Sequence, residues 1–301
     1  MKKIKVLVTG ANGLVGSRFV ELSQKYELYT PDQFEVDLTN EDSVFQYVKK
    51  VSPDWIVNFA AFTDVNAAEQ QTGDETGSVW QVNVQGVHNL VNAFMSDRII
   101  QISTDMVFPG TISQPGPYAE NAQTAKESSQ LTWYGWSKNQ AEKIILNHGG
   151  SILRLIYPVR ATFADKLDFI RTPLKRFVEG KMYPLFYDQQ ISISHIDDIA
   201  DTLQAIIDQD ARGIFHTSTD TTTPFDLISY TLEQLGEDVS LLQKASIFDF
   251  LKTQDNPNRY PVYGGLKTNL TEKGLDLRFP AWQTVVEKLI AQGLSLPKTQ
   301  N

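Results

Sequence analysis

Eight residues near the start of the chain, Thr9-Gly10-Ala11-Asn12-Gly13-Leu14-Val15-Gly16, separate a short β-branched apolar run at 4–9 from a stretch of helical periodicity at 12–25. A glycine-rich string in that context predicts a strand, a tight turn and a helix lying close on the strand. Gly10 permits the turn, Gly13 lets backbone N–H groups approach a pyrophosphate, and Gly16 allows close helix–strand packing. Asn12, Leu14 and Val15 complete the turn at a helix N-terminus, whose partial positive charge favours an anion. A plain strand-to-helix turn would use the same glycines for geometry alone, so the rest of the chain has to decide.

The same rhythm continues along the chain. Strands are predicted at 27–30, 55–60, 99–103 and 151–155, alternating with helices at 40–50, 78–95 and 133–146. In the helix at 40–50, Val44, Tyr47 and Val48 share a face with Val51. Such alternation, with nearly obligatory right-handed crossovers, implies an α/β fold: a doubly wound parallel sheet of the Rossmann type. Beyond Tyr157, prolines at 158, 173, 184, 224, 257, 261 and 280 punctuate shorter elements, which predicts a second, smaller α/β substrate lobe. A helix at 195–208 is expected to pack back on the first lobe. The predicted division is therefore 1–156 plus about 193–215 for the dinucleotide-type domain, and about 157–192 with 216–301 for the other lobe.

Bulk properties narrow the partners. With 301 residues, 41% hydrophobic and 21% charged, the chain is in the globular range. A formal net charge of -9 repels phosphate backbones and anionic membrane surfaces, so nucleic acid is not expected. No cysteine is present, which excludes disulfides and thiolate chemistry, and the four histidines lack ligand spacing, so no metal site is expected. The opening MKKIKVLVTG reads as a first strand, because Gly10 and Asn12 interrupt its apolar run. No stretch approaches the roughly 18 apolar residues of a membrane span. A cytoplasmic location is the expectation.

Two groups of side chains carry candidate chemistry. Asp32 lies just past the second strand, near the distance at which a ribose partner is expected, and no Arg or Lys directly follows Thr30 to meet a 2′-phosphate, which leans to NAD. Asp37 and Leu38 are placed to sit against an adenine, and Asp37, Thr39 and Asn40 equally suit a helix cap. Tyr134 and Lys138 stand one helical turn apart and project from one face. A phenol has a pKa near 10, and an adjacent cation would bring it down toward neutrality, three units corresponding to about 4 kcal/mol. Thr104, at the C-terminal end of a strand, supplies a hydroxyl where doubly wound sheets place ligands.

These segments together resemble the extended short-chain dehydrogenases/reductases and, within that superfamily, the dTDP-4-dehydrorhamnose reductases. The resemblance rests on TGANGLVG, VDLTN, PDWIVNFAAFTDVNAAE, QVNVQGVHNLVNAF, QISTDMVFPG, YGWSK and LRLIYPV, and later on YDQQIS and NRYPVYGGLKT. It implies NADH or NADPH as cofactor, with Ala60 and Ala61 joining the glycine turn, Asp32, Asp37 and Leu38 around it. It further implies that Tyr134 protonates the C4 carbonyl of a nucleotide-linked deoxysugar, that Thr104 hydrogen-bonds that oxygen, and that Lys138 holds the nicotinamide ribose. Thr63, Asp105, Met106 and Arg259 are the implied substrate contacts, and Asn83 a structural residue. Met106 and Phe62 stand where the family usually has tyrosine, and Asn66-Ala67 replace an Asp-Lys pair, so the sugar contacts differ. An epimerase or dehydratase on the same scaffold, and a dinucleotide-binding regulatory subunit like that of methionine adenosyltransferase, are the alternative readings. A homodimer is left open.

Overall fold

The computed structural model describes residues 2–254, 256–257 and 260–297. The first half runs β1 (Lys5–Thr9), α1 (Leu14–Leu22), β2 (Glu27–Tyr29), α2 (Glu41–Val51), β3 (Trp55–Asn58), α3 (Val65–Glu69), α4 (Ser78–Trp80), α5 (Gly86–Ala93), β4 (Ile99–Thr104), α6 (Trp133–Asn147) and β5 (Ser151–Leu155). The second half adds β6 (Pro158–Val159), α7 (Arg171–Val178), β7 (Leu185–Phe186), β8 (Ser194–His195), α8 (Ile196–Asp208), β9 (Ile214–Thr217), α9 (Pro224–Gln234), β10 (Lys244–Ala245), α10 (Ile247–Leu251), α11 (Asn269–Leu275) and α12 (Trp282–Ala291).

Local chemistry explains the boundaries. Asn40 caps α2 by accepting from the Ser43 N–H at 3.0 Å, with Glu41 and Asp42 in the first turn and Lys49 and Lys50 in the last, matched to the helix dipole. Ser52 then turns left-handed and Pro53 forbids continuation. The helix expected at 78–95 is one helical run in which a π-helical stretch, Gln81–Gln85, joins α4 to α5.

Six strands form one parallel sheet in the order β2-β1-β3-β4-β5-β9, the doubly wound architecture expected. Strand alternation sorts its two faces. Val6, Val8, Trp55, Val57, Ile100 and Leu153 pack against α1 and α8, whereas Leu7, Ile56, Ile99 and Ile152 pack against α2, α5 and α6. On α1, Phe19 is fully buried and Val20 joins that core, while Leu22 at its end is 39% exposed. The chain leaves β1 for β2 on one side and returns to β3 on the other, so a crevice opens above the C-terminal ends of β1 and β3.

The remaining elements build a second core from β6, α7, α9 and α12 around Ile170, Leu174, Leu227, Ile228, Val285 and Leu289. Two short parallel pairs, β6 with β8 and β7 with β10, edge it. Leu275, at the end of α11, returns to the core under α8. Among the described residues no helix is long and apolar enough to cross a membrane, and no cluster of potential metal ligands occurs.

Candidate active site

The crevice holds a cavity of about 820 Å³, within the range of about 300–1,000 Å³ usual for small-molecule and cofactor sites. One wall is the whole turn from Thr9 to Gly16. Gly10 has φ +66°, and a Cβ there would lie 2.6 Å from the Ala60 nitrogen. A Cβ on Gly16 would strike the Gly10 carbonyl more closely still, whereas one on Gly13 would meet only that carbonyl at 3.4 Å. Gly10 and Gly16 therefore press β1, the residues after β3 and α1 together, and Gly13 caps α1 without a side chain. The resulting cradle of backbone N–H groups at a helix start suits a pyrophosphate.

The wall after β2 consists of Pro31, Asp32, Gln33 and the segment from Val36 to Thr39. Asp32 Oδ1 accepts from the N–H groups of Phe34 and Glu35 at 2.8 and 2.9 Å, so this carboxylate shapes the turn that it also presents to the cavity. Asp37 Oδ1 likewise accepts from the N–H and hydroxyl of Thr39, and the cap of α2 is Asn40 rather than Asp37. Leu38 is buried and fixed by the Asn89 carboxamide donating to its carbonyl at 2.7 Å. Among the described residues no arginine or lysine lines this stretch.

Opposite lie Ala60, Ala61, Phe62 and Thr63, together with Thr104, Tyr134 and Lys138. Thr132 caps α6 by accepting from the Gly135 N–H at 3.0 Å, and a Cβ on Gly135 would overlap the Met106 carbonyl, so α6 is seated directly on the turn after β4. That seating brings Tyr134 and Lys138 to the same cavity as the glycine turn. Thr104 ends β4, its hydroxyl donating to Asp105 at 3.1 Å and accepting from the Met106 N–H at 3.2 Å. Asn83, in the π-helical stretch, bonds both backbone groups of Phe62 and the Ser137 hydroxyl, a bracing role.

The electrostatics depart from one expectation. Burial, which penalises the phenolate, and then the charge of Asp105 push the Tyr134 phenol up rather than down. Burial pushes Lys138 down to about 8, opposed by the charge of Glu142. Asp105 is pushed up to about 7 by burial, against its hydrogen bond from Thr104. Among the described residues the Lys138 ammonium, 3% exposed by residue, makes no hydrogen bond or ion pair, so a cation without a protein partner lines the cavity.

The implied substrate residues divide. Thr63 lines the cavity and accepts from Lys166 Nζ at 3.3 Å. Asp105 and Met106 stand behind Thr104 rather than on this wall, and Arg259 lies outside the described residues. Several wall residues carry no signal in the sequence. Tyr157 adopts φ +40°, a strained backbone that no pattern announces, and its ring packs tilted by 32° against Phe169 at 4.1 Å between centroids. Lys166 is carried by a loop whose ends are clasped by arginines. Arg160 Nη1 donates to the Ser17 hydroxyl at 2.8 Å, and Arg171 donates to the carbonyls of Phe163 and Lys166 at 2.6 Å each.

Residues 4–295 match the family model described as the RmlD substrate binding domain. The chain belongs to this family. Among relatives of the RmlD-type chain, dTDP-4-dehydrorhamnose reductase of Aggregatibacter actinomycetemcomitans is 26% identical over 95% of this chain and 98% of its own. A dTDP-4-keto-6-deoxy-D-glucose reductase of Streptomyces niveus is 31% identical over 77% of this chain and 79% of its own. The crystal structure of a Bacillus anthracis dTDP-4-dehydrorhamnose reductase in complex with NADP superposes with a TM-score of 0.81 at 24% identity, covering 97% of this chain and 100% of that one. The resemblance drawn from the motifs is borne out, and so is the fold class.

Proposed function

We propose that this RmlD-type protein is an NAD(P)-dependent reductase of a nucleotide-linked 4-keto-deoxysugar. The carrying observation is that Thr104, Tyr134 and Lys138 meet on the wall of one cavity whose other wall is the Gly10–Gly16 turn. The names of its reductase relatives support the substrate class.

The residues fit a dinucleotide: a cradle closed by Gly10 and Gly16, and the Lys138 ammonium presented on the cavity wall. Asn12, Gly13, Leu14, Val15 and the first turn of α1 would take the pyrophosphate, Asp32 a ribose, Asp37 and Leu38 the adenine side, and Ala60 and Ala61 the floor. Asp32 in a wall without arginine or lysine among the described residues supports NADH over NADPH. The reduced cofactor, when bound, supplies a hydride. Tyr134, whose proton burial holds in place, donates that proton to the carbonyl oxygen, and Thr104 turns its hydroxyl from Asp105 to the same oxygen. Lys138 holds the nicotinamide ribose and stabilises the phenolate left behind. Thr63 and the second lobe take the sugar nucleotide, with 1–156 and 193–215 forming the cofactor domain and 157–192 and 216–301 the substrate lobe.

The test is a cofactor-oxidation screen over 4-keto nucleotide sugars with NADH and NADPH. Turnover with at least one sugar is expected, faster with NADH; no oxidation with any sugar would remove the reading.

A further inference from the structure

α6 meets the sheet through a buried carboxylate. Glu142 stands one helical turn beyond Lys138 and two beyond Tyr134, and is 3% exposed. Its Oε1 accepts from the Ser103 hydroxyl at 2.6 Å and from Arg154 Nε at 2.8 Å, and its Oε2 accepts from Arg154 Nη2 at 2.7 Å. Ser103 immediately precedes Thr104, and Arg154 is its registered neighbour on β5. One side chain thus joins the helix carrying Tyr134 and Lys138 to the strand carrying Thr104.

The surroundings leave this carboxylate in charge of Lys138. Behind it, Arg154 Nη1 donates to the Glu120 carbonyl and to His216 Nε2, both at 3.3 Å, and its guanidinium covers the Phe108 ring. His216 is held neutral, pushed down to about 3 by burial and by Arg154, and donates from Nδ1 to the Lys267 carbonyl. From the turn after β4, Asp105 acts on Tyr134 and, across the cavity, on Tyr157. The anion acting on Lys138 is Glu142. Stability alone does not account for the pair, since buried ion pairs are commonly matched or exceeded by packed apolar residues.

We propose that Glu142 is a positioning residue for the reaction: through Ser103 and Arg154 it sets α6 against the end of β4, and it holds a carboxylate one helical turn from the Lys138 ammonium. The proposal rests on the reductase reading.

It is tested on the full-length protein with Glu142→Gln, the double variant Glu142→Met/Arg154→Met, and Glu142→Asp. Folding is followed by thermal melting, and both kcat/KM and NADH affinity, the latter by fluorescence, are measured from pH 6 to 10. Removing an anion lowers the pKa of a neighbouring ammonium. The alkaline limb set by Lys138, near pH 8, should therefore move acid in folded Glu142→Gln, a move of about one unit giving a roughly fivefold loss at pH 8, whereas the double variant, which removes the anion and the Arg154 cation together, should move it less and lower kcat through the lost link to Ser103. NADH affinity should weaken over the same window. Glu142→Gln, which strands Arg154, should lose stability as well, whereas Glu142→Asp should keep the limb and lower kcat, because the shorter arm leaves Ser103. Folded Glu142→Gln with the wild-type limb and affinity profile, or a folded double variant with the wild-type kcat, would overturn the proposal. If the double variant and Glu142→Gln do not fold, an unchanged kcat in Glu142→Asp would do so. Should wild type oxidise no cofactor with any keto sugar, the reductase reading fails, and the NADH-affinity profile still decides the role of Glu142.

Discussion

The carboxamide of Asn83 clasps the backbone of Phe62 from both sides, its Oδ1 accepting from the N–H at 2.7 Å and its Nδ2 donating to the carbonyl at 3.1 Å. Nδ2 also reaches the Ser137 hydroxyl at 2.9 Å, which itself donates to the Tyr134 carbonyl at 2.7 Å. A buried π-helical residue thereby fixes the cavity wall after β3 to the turn of α6 that bears Tyr134. Asn83→Ala strands these buried groups and should cost about 1–3 kcal/mol. Thermal melting should show a lowered Tm, and NADH affinity should fall with it. An unchanged Tm would show that the clasp carries no stability.

The three glycines of the turn should not be equivalent. Gly10→Ala adds both a positive-φ penalty and a collision with the Ala60 backbone, and Gly16→Ala drives a methyl into the Gly10 carbonyl. Gly13→Ala meets that same carbonyl at 3.4 Å, an ordinary contact. Titrating NADH against the three variants should give strong loss of affinity, on the order of tenfold or more, for Gly10 and Gly16, and a smaller loss for Gly13. Equal losses at all three positions would contradict the packing account.

Much of this frame is legible in the residue pattern. Val6 and Val8 alternate with Leu7, and these side chains do face opposite layers. The turn, Tyr134, Lys138 and Thr104 are local motifs, so their spacing survives without any knowledge of distant contacts. Less legible are features made by long-range closure. Lys166 reaches Thr63 only because Arg160 and Arg171 clasp its loop, and Tyr157 takes a left-handed backbone that its sequence neighbours do not signal. The upward shift of Tyr134 is hidden for a related reason: desolvation depends on the assembled cavity, whereas the Tyr-Lys spacing reveals only the neighbouring cation.

Asp105 gives a pH prediction with a definite sign. Its folded carboxyl is pushed up to about 7 from an ordinary value of 3.8. Its contribution to stability is therefore fully present below about pH 3.8 and is lost as pH rises through about 7, where the folded state must carry the buried charge. Asp105→Asn removes that burden and should be more stable than wild type at pH 8, by about 2–4 kcal/mol at most. The gap should close by pH 4. Paired melting curves at the two pH values check this, and a gap independent of pH would contradict it.

On the reductase reading, the phenol of Tyr134 delivers a proton inside a cavity that binds the dinucleotide independently of it. The most direct measurement is single-turnover reduction by Tyr134→Phe, run on whichever keto sugar the wild type accepts, beside NADH affinity by fluorescence titration. A rate lowered by about 10²–10⁴ is expected, with cofactor affinity within about twofold of wild type. Reduction of the sugar by Tyr134→Phe at the wild-type rate would contradict it.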